Sequence, residues 1–305
     1  MNHSENGFTR HCRRWVLTLV ATTVCSALLA TAASAQQYHP GKVVWMQLVT
    51  PDLAAAQRFY GALFGWNFDA RRPGVYAIAQ EDGEPVAGLL QPTAGTAAPT
   101  GSHAGWLTFL SVHDVAHVVQ SVQAQGGRLL SAAHRYPRGD MAVFLDPQGA
   151  AFGVITRRGG DPEDALAAPG EEIWATLITR DPDLDAAFYQ NVFGYEVFEL
   201  PSDAALDGQH LVLSTEQFAR ASIDSLPVGH AEAHPRWLDY IRVDDVTGTA
   251  QRAQALGGRL LVAPHPDRHG GQLAVIADPH GAVLGLIEWS AAQKRAAAGG
   301  QETGP

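Results

Sequence analysis

From Val43 to Val49 the chain reads VVWMQLV, a β-rich run with two faces, Val43/Trp45/Gln47/Val49 and Val44/Met46/Leu48. The period then changes. Apolar residues fall at Leu53, Ala56, Tyr60, Leu63 and Phe64, with Asp52 placed to cap the first turn and Gly65 just past the last. This predicts a strand, a helix and a stop. Turn-bounded strands follow. Trp106–Val112 then reads as a strand and Asp114–Gln125 as a helix ended by Gly126-Gly127, with further strands behind it.

The whole succession occurs twice. Trp45-x-x-Leu48-x-Thr50-x-Asp52 returns as Trp174-x-x-Leu177-x-Thr179-x-Asp181, and RFYGALFGWNF (58–68) as AFYQNVFGYEV (187–197). Gly126-Gly127-Arg128-Leu129-Leu130 recurs letter for letter at 257–261, and Asp146-Pro147-x-Gly149-Ala150 recurs as Asp278-Pro279-x-Gly281-Ala282. The offset drifts only from 129 to 132, so the chain is a tandem duplication. Each copy holds two strand–helix–strands modules, in which Phe59, Tyr60 and Phe64 are expected to anchor a helix on a sheet. The expected boundaries are 41–157 for the first domain, 158–170 for a Gly/Pro-rich linker, 171–290 for the second domain and 291–305 for a flexible tail.

The N-terminus reads differently. Arg10, Arg13 and Arg14 precede an apolar run from Trp15 to Ala30 and an Ala33-Ser34-Ala35 cleavage site. Residues 1–35 are therefore read as a signal peptide, sending the protein to the periplasm or outside the cell by the Sec or the twin-arginine route. Both cysteines, Cys12 and Cys25, lie in that segment, which leaves the remainder without thiol or disulfide chemistry. Net charge is −10 for the full chain. That acidity argues against a nucleic-acid surface, and no membrane association is expected after cleavage. Nothing in the sequence opens a helix with phosphate-binding glycines or spells a serine-hydrolase or zinc-protease motif.

The ordered set Asp52…Phe59-Tyr60…Phe64-Gly65-Trp66, Val112-x-Asp114-Val115, Gly126-Gly127 and Asp146-Pro147-x-Gly149, given twice, resembles the vicinal oxygen chelate (VOC) superfamily of glyoxalases, bleomycin-resistance proteins and extradiol dioxygenases. The resemblance implies an α+β fold of two tandem domains. Each would be built of paired βαβββ modules whose curved sheets enclose a cavity, often with a divalent metal. The family's metal-ligand positions fall on Trp45, Leu107, Gly153 and, by a looser match, Gly88. In the second copy they fall on Trp174, Leu238, Gly285 and, again loosely, Ala221. None of these side chains coordinates a hard or borderline cation.

The resulting expectation is a protein without a cofactor that binds a small molecule in aromatic-lined cavities, around Trp45 and Gln47 in one copy and Trp174 and Thr176 in the other. One alternative is a glyoxalase- or dioxygenase-type enzyme with a displaced divalent metal held by His265, Asp267 and His269. A second is a structural or interaction protein whose cavities are filled. The resemblance also implies a monomer with pseudo-dimeric domains, or a homodimer. His113, His117, His234 and His280 are read as surface residues, and Arg138-Gly139-Asp140 as a chance adhesion-like triplet in a hairpin.

Overall fold

A computed structural model describes residues 37–93, 104–136, 138–200, 208–226, 234–267 and 271–289. The signal segment, the tail and His269 lie outside the described residues. Copy one runs β1 (Val43–Val49), α1 (Leu53–Phe64), β2 (Asn67–Arg72), β3 (Tyr76–Glu81), β4 (Glu84–Leu90), β5 (Gly105–Ser111), α2 (Val115–Ala124), β6 (Arg128–Tyr136), β7 (Gly139–Leu145) and β8 (Ala151–Arg157). Copy two repeats it as β9 (Glu172–Thr179), α3 (Pro182–Phe193), β10 (Glu196–Glu199), β11 (His210–Thr215), β12 (Phe218–Ser225), β13 (Arg236–Val243), α4 (Val246–Ala255), β14 (Arg259–Pro266), β15 (Gln272–Ala277) and β16 (Val283–Glu288).

Each copy forms one eight-stranded sheet, ordered β2-β3-β4-β1-β5-β8-β7-β6 in the first and β10-β11-β12-β9-β13-β16-β15-β14 in the second. The modules join through the antiparallel pairs β1–β5 and β9–β13. Local sequence dictates the helices. Asp52 and Asp181 accept backbone N–H groups three residues on, and Gly65 (φ 86) and Gly194 (φ 78) end their helices in the left-handed region.

The helices lie between the two sheets, and the core there belongs to neither copy alone. One cluster joins Leu53, Phe59, Tyr60 and Trp66 of copy one to Ile241, Val246, Leu284 and Leu286 of copy two. Its mirror joins Phe144 and Phe152 of copy one to Phe188, Tyr189 and Phe193 of copy two. The repeated aromatic phrase therefore anchors each helix against the other copy as well as on its own sheet.

Its polar atoms follow the same exchange. Trp106 Nε1 donates to the Tyr60 hydroxyl (3.0 Å), which donates to Asp278 (3.2 Å); Trp237 Nε1 donates to Tyr189 (2.8 Å), which donates to Asp146 (3.3 Å). Trp66 Nε1 donates to the Gly170 carbonyl, and the Tyr195 hydroxyl to the equivalent Gly41 carbonyl. Thr108 donates to Asp239, its own counterpart, at 2.7 Å, which places both residues on the pseudo-two-fold axis.

These contacts explain the letters repeated without change. Asp146 Oδ1 accepts the backbone N–H groups of Gln148, Gly149 and Ala150, leaving Oδ2 for Tyr189. Gly127 and Gly258 admit no side chain. A Cβ there would stand 3.2 Å from the Phe188 ring and 3.1 Å from the Phe59 ring, and within 3.0 Å of a strand carbonyl.

Candidate functional site

Alternation along the strands sends one set of side chains to the helix layer and the other to the opposite face. In copy one that opposite face carries Trp45, Gln47, Ile78, Gly88, Leu107, Phe109, Val143, Gly153 and Ile155, most of them in one apolar cluster. The sheet curls over it. The Arg138 guanidinium, from the tip of the β6–β7 hairpin, stands 4.3 Å from the Trp45 ring centroid although β5 and β8 run between them. This makes a cup. Trp45 is 5% exposed and Phe109 1%. A Cβ on Gly153 would sit 2.3 Å from the Phe109 ring, and one on Gly88 would meet Tyr76 Oη at 2.7 Å, Trp45 Cζ2 at 3.2 Å and Gln47 Oε1 at 3.3 Å.

The equivalent face of copy two is more open and more polar. Trp174 and Tyr240 are half-buried, and Phe198, on the edge strand β10 opposite Val212, is 50% exposed. Trp174 Nε1 donates to Ser222 Oγ (3.1 Å), Ser222 shares a hydrogen bond with Thr176 (2.8 Å), and Tyr240 stands level with Trp174 on the neighbouring strand. Burial, and then the charge of Asp224, push the Tyr240 phenol above its ordinary range, so it stays a neutral hydrogen-bonding group. Beside this row His210 Nδ1 is bonded to Asp224 Oδ1 across β11 and β12. A carboxylate on one imidazole nitrogen orients the ring and leaves Nε2 to act on a ligand.

Tyr240 lies flat over Gly285, as Phe109 does over Gly153. A Cβ at Gly285 would stand 2.1 Å from the Tyr240 ring. Gly285→Ala is expected to force that ring aside, costing about 1–3 kcal/mol. Denaturant unfolding checks this, with Gly281→Ala not a control because its φ is +94.

Register separates the two looser assignments, keeping Gly88 on the cup face and moving the other. Gly88 pairs with Gln47 across β1–β4, and Ser222, not Ala221, pairs with Thr176 across β9–β12. Ala221 is fully buried in the helix-side core. A slip of one residue along a strand transfers a side chain to the other face, so Ser222 is the cup residue. Leu107 and Leu238 do face the cups, level with Gln47 and Thr176. The residues level with Trp45 and Trp174 are Phe109 and Tyr240. His210, Asp224, Ser222, Tyr240 and Phe109 have no signal in the linear sequence, since only strand pairing brings them together.

The cup residues do not fit a divalent metal. A ring fills the space over Gly153 and Gly285, and the positions carry indole, aliphatic or hydroxyl groups in place of three or four oxygen or imidazole donors. Of the displaced set, His265 bonds Ala263 O on its own strand, the Asp267 backbone bonds Gly271, and no group of three His, Cys, Asp or Glu side chains converges among the described residues. A separate cleft of about 320 Å³ lies beside the start of α2 and the β6–β7 hairpin, near His113, His134 and Asp140, outside both cups.

Two family profiles match the chain: Glyoxalase/Bleomycin resistance protein/Dioxygenase superfamily over residues 42–154 and Glyoxalase-like domain over residues 174–287. A putative glyoxylase, CFP32, of Mycobacterium tuberculosis is 32% identical over 257 residues, covering 83% of this chain and 96% of that protein. The anthracycline biosynthesis protein DauV of a Streptomyces species is 28% identical over 276 residues, covering 86% and 98%. Among solved structures, the Mn(II)-bound glyoxalase from Novosphingobium aromaticivorans superposes with a TM-score of 0.57 at 18% identity, covering 82% of each chain. The chain belongs to the glyoxalase/bleomycin resistance protein/dioxygenase superfamily, as a tandem pair of domains.

Proposed function

We propose that this is an exported, metal-independent protein that binds a small molecule, with its principal ligand in the cup of copy two. The observation that carries this reading is the hydrogen-bonded set Trp174–Ser222–Thr176, its half-buried indole beside the half-buried Tyr240 ring, flanked by Phe198 and the His210–Asp224 pair. A concave, mostly apolar wall with a few fixed polar groups is the usual form of a ligand site. Aromatic faces and hydroxyls together suit a planar, hydroxylated aromatic compound, and the name of the Streptomyces relative points toward the same chemistry. Export rests on the basic, apolar and Ala-x-Ala succession of residues 1–35. The reciprocal bonds between copies support a monomer that supplies its own pseudo-dimer interface.

The test is titration of the chain lacking residues 1–35 with 1,2-dihydroxyanthraquinone, followed by tryptophan quenching and calorimetry. Saturable binding is expected, weakened roughly tenfold by Trp174→Leu, in line with the loss of an aromatic contact. Failure to bind this probe would sink the reading.

The second reading is a glyoxalase- or dioxygenase-type lyase or oxygenase, favoured by the names of CFP32 and the Mn(II)-bound neighbour. It requires a displaced metal, with His265, Asp267 and His269 as its ligands.

A further inference from the structure

The two cups treat the same indole differently. In copy two the Trp174 N–H is satisfied by Ser222. In copy one the position paired with Gln47 is Gly88, which has no hydroxyl to offer, and Trp45 Nε1 is sealed from solvent with no hydrogen-bond partner among the described residues. Arg138 Nε, on the guanidinium that covers the Trp45 ring, is sealed and unpartnered in the same way. Tyr76 Oη and Gln47 Oε1 come to the same spot, within 2.7 and 3.3 Å of where a Gly88 Cβ would lie. Neither side chain hydrogen-bonds to any described residue.

Two orphan N–H donors, one of them on a cation, together with a phenol and an amide, define what is missing. Buried polar groups are rarely left unpaired, and a cluster of orphans calls for a bound partner. The donors outnumber the acceptors, so that partner is an acceptor. The local charge gives its sign: burial and the neighbouring Arg157 and Arg71 depress the Arg138 guanidinium, opposed by Tyr76 and Glu84, and Arg138 forms no ion pair among the described residues. A half-buried guanidinium in that setting is complemented by an anion, in a two-pronged bond where the anion is a carboxylate. Leu107, Phe109 and Ile155 offer the remainder of the ligand an apolar wall. Arg138 stands at a hairpin tip, beside Gly139, whose Cβ would fall 2.0 Å from the Thr156 carbonyl, so the turn that presents the guanidinium packs directly on β8.

We propose that the cup of copy one binds a small organic carboxylate, clamped by Arg138 and held by the Trp45 N–H and the Tyr76 hydroxyl. The proposal rests on the reading that the cups hold ligands, and it assigns the two copies different ligand chemistries.

The test uses benzoate and its neutral analogue benzamide, titrated separately into the chain lacking residues 1–35, with thermal shift and heteronuclear NMR of the indole N–H groups as readouts. Benzoate is expected to saturate and move the Trp45 indole resonance, with benzamide at least tenfold weaker. Arg138→Met, which keeps the apolar stem, is expected to abolish the preference for benzoate without lowering the unfolding temperature of the free protein, and to leave dihydroxyanthraquinone binding unchanged. Equal binding of the two probes, no benzoate binding, or full benzoate affinity in Arg138→Met overturns the proposal. So does a loss of stability in the free variant, which would make Arg138 a structural residue. Because the dihydroxyanthraquinone titration is scored separately, failure at copy one is distinguishable from failure of the ligand reading as a whole.

Discussion

Phe152→Ala is expected to lower the stability of the whole chain by about 3–5 kcal/mol, the usual cost of emptying a fully buried phenylalanine site. Phe152 belongs to copy one and is 0% exposed. Its ring stacks on Phe144 at 5.5 Å and meets Tyr189 at 5.4 Å and Phe188 and Phe193 at 6.1 Å, all edge-on and all from copy two. The cavity therefore opens in the layer that holds the copies together. Both copies are expected to lose stability in one cooperative transition, because each helix packs on the opposite copy. Phe198→Ala, at a ring that is half in solvent, is expected to change stability by less than about 0.5 kcal/mol. Urea unfolding of the two variants checks the contrast. Two separate transitions, with only one shifted by Phe152→Ala, would mean that the copies are independent.

Stability is also expected to fall as pH rises from 4 to 8. Three interface carboxyls are raised from their ordinary 3.8: Asp239 to about 7 and Asp146 to about 6 by burial, and Asp185 to about 7 by burial and then the charge of Asp146. A raised carboxyl binds its proton more tightly folded than unfolded. Its contribution is fully present below about pH 4 and is lost as pH climbs through 6 to 7. Asp239 is the cleanest case. It is 1% exposed, accepts one bond from Thr108, leaves Oδ2 unpartnered among the described residues, and lies close enough to Glu172 to raise that residue too. Asp239→Asn keeps the acceptor and removes the titration. The variant is expected to be more stable than the parent at pH 8, by on the order of 2 kcal/mol, and no more stable at pH 4. Asp164, held below its ordinary range by Arg220 and Lys42, acts in the opposite sense only at lower pH. A pH-independent difference between variant and parent would contradict the account.

Much of the architecture was written in the chain because its signals are local. The change of period after Val49, the Asp caps and the left-handed Gly65 and Gly194 place β1, α1 and α3 without reference to anything distant. The duplication added the pairing, since Trp45 and Trp174, or Gly127 and Gly258, had to play the same part twice. What was not legible depends on register. Whether Ala221 or Ser222 faces the cup turns on one residue of strand slip, and β11–β12 carries a bulge between Leu213 and Ser214 that local sequence does not announce. His210 and Asp224 are 14 residues apart and meet only because β11 and β12 pair antiparallel. The two cups also looked alike in sequence, whereas Gly88 against Ser222 leaves one indole orphaned and the other satisfied.

What is proposed for these cups is ligand binding without a metal. It is tested most directly by elemental analysis of the chain lacking residues 1–35, after exposure to Mn, Fe(II), Ni and Zn and removal of free metal, with a His265→Ala/His269→Ala variant alongside. Far less than one metal per chain is expected in both proteins. One metal per chain in the parent, lost from the double variant, would contradict it and establish a displaced metal centre on the β14–β15 hairpin.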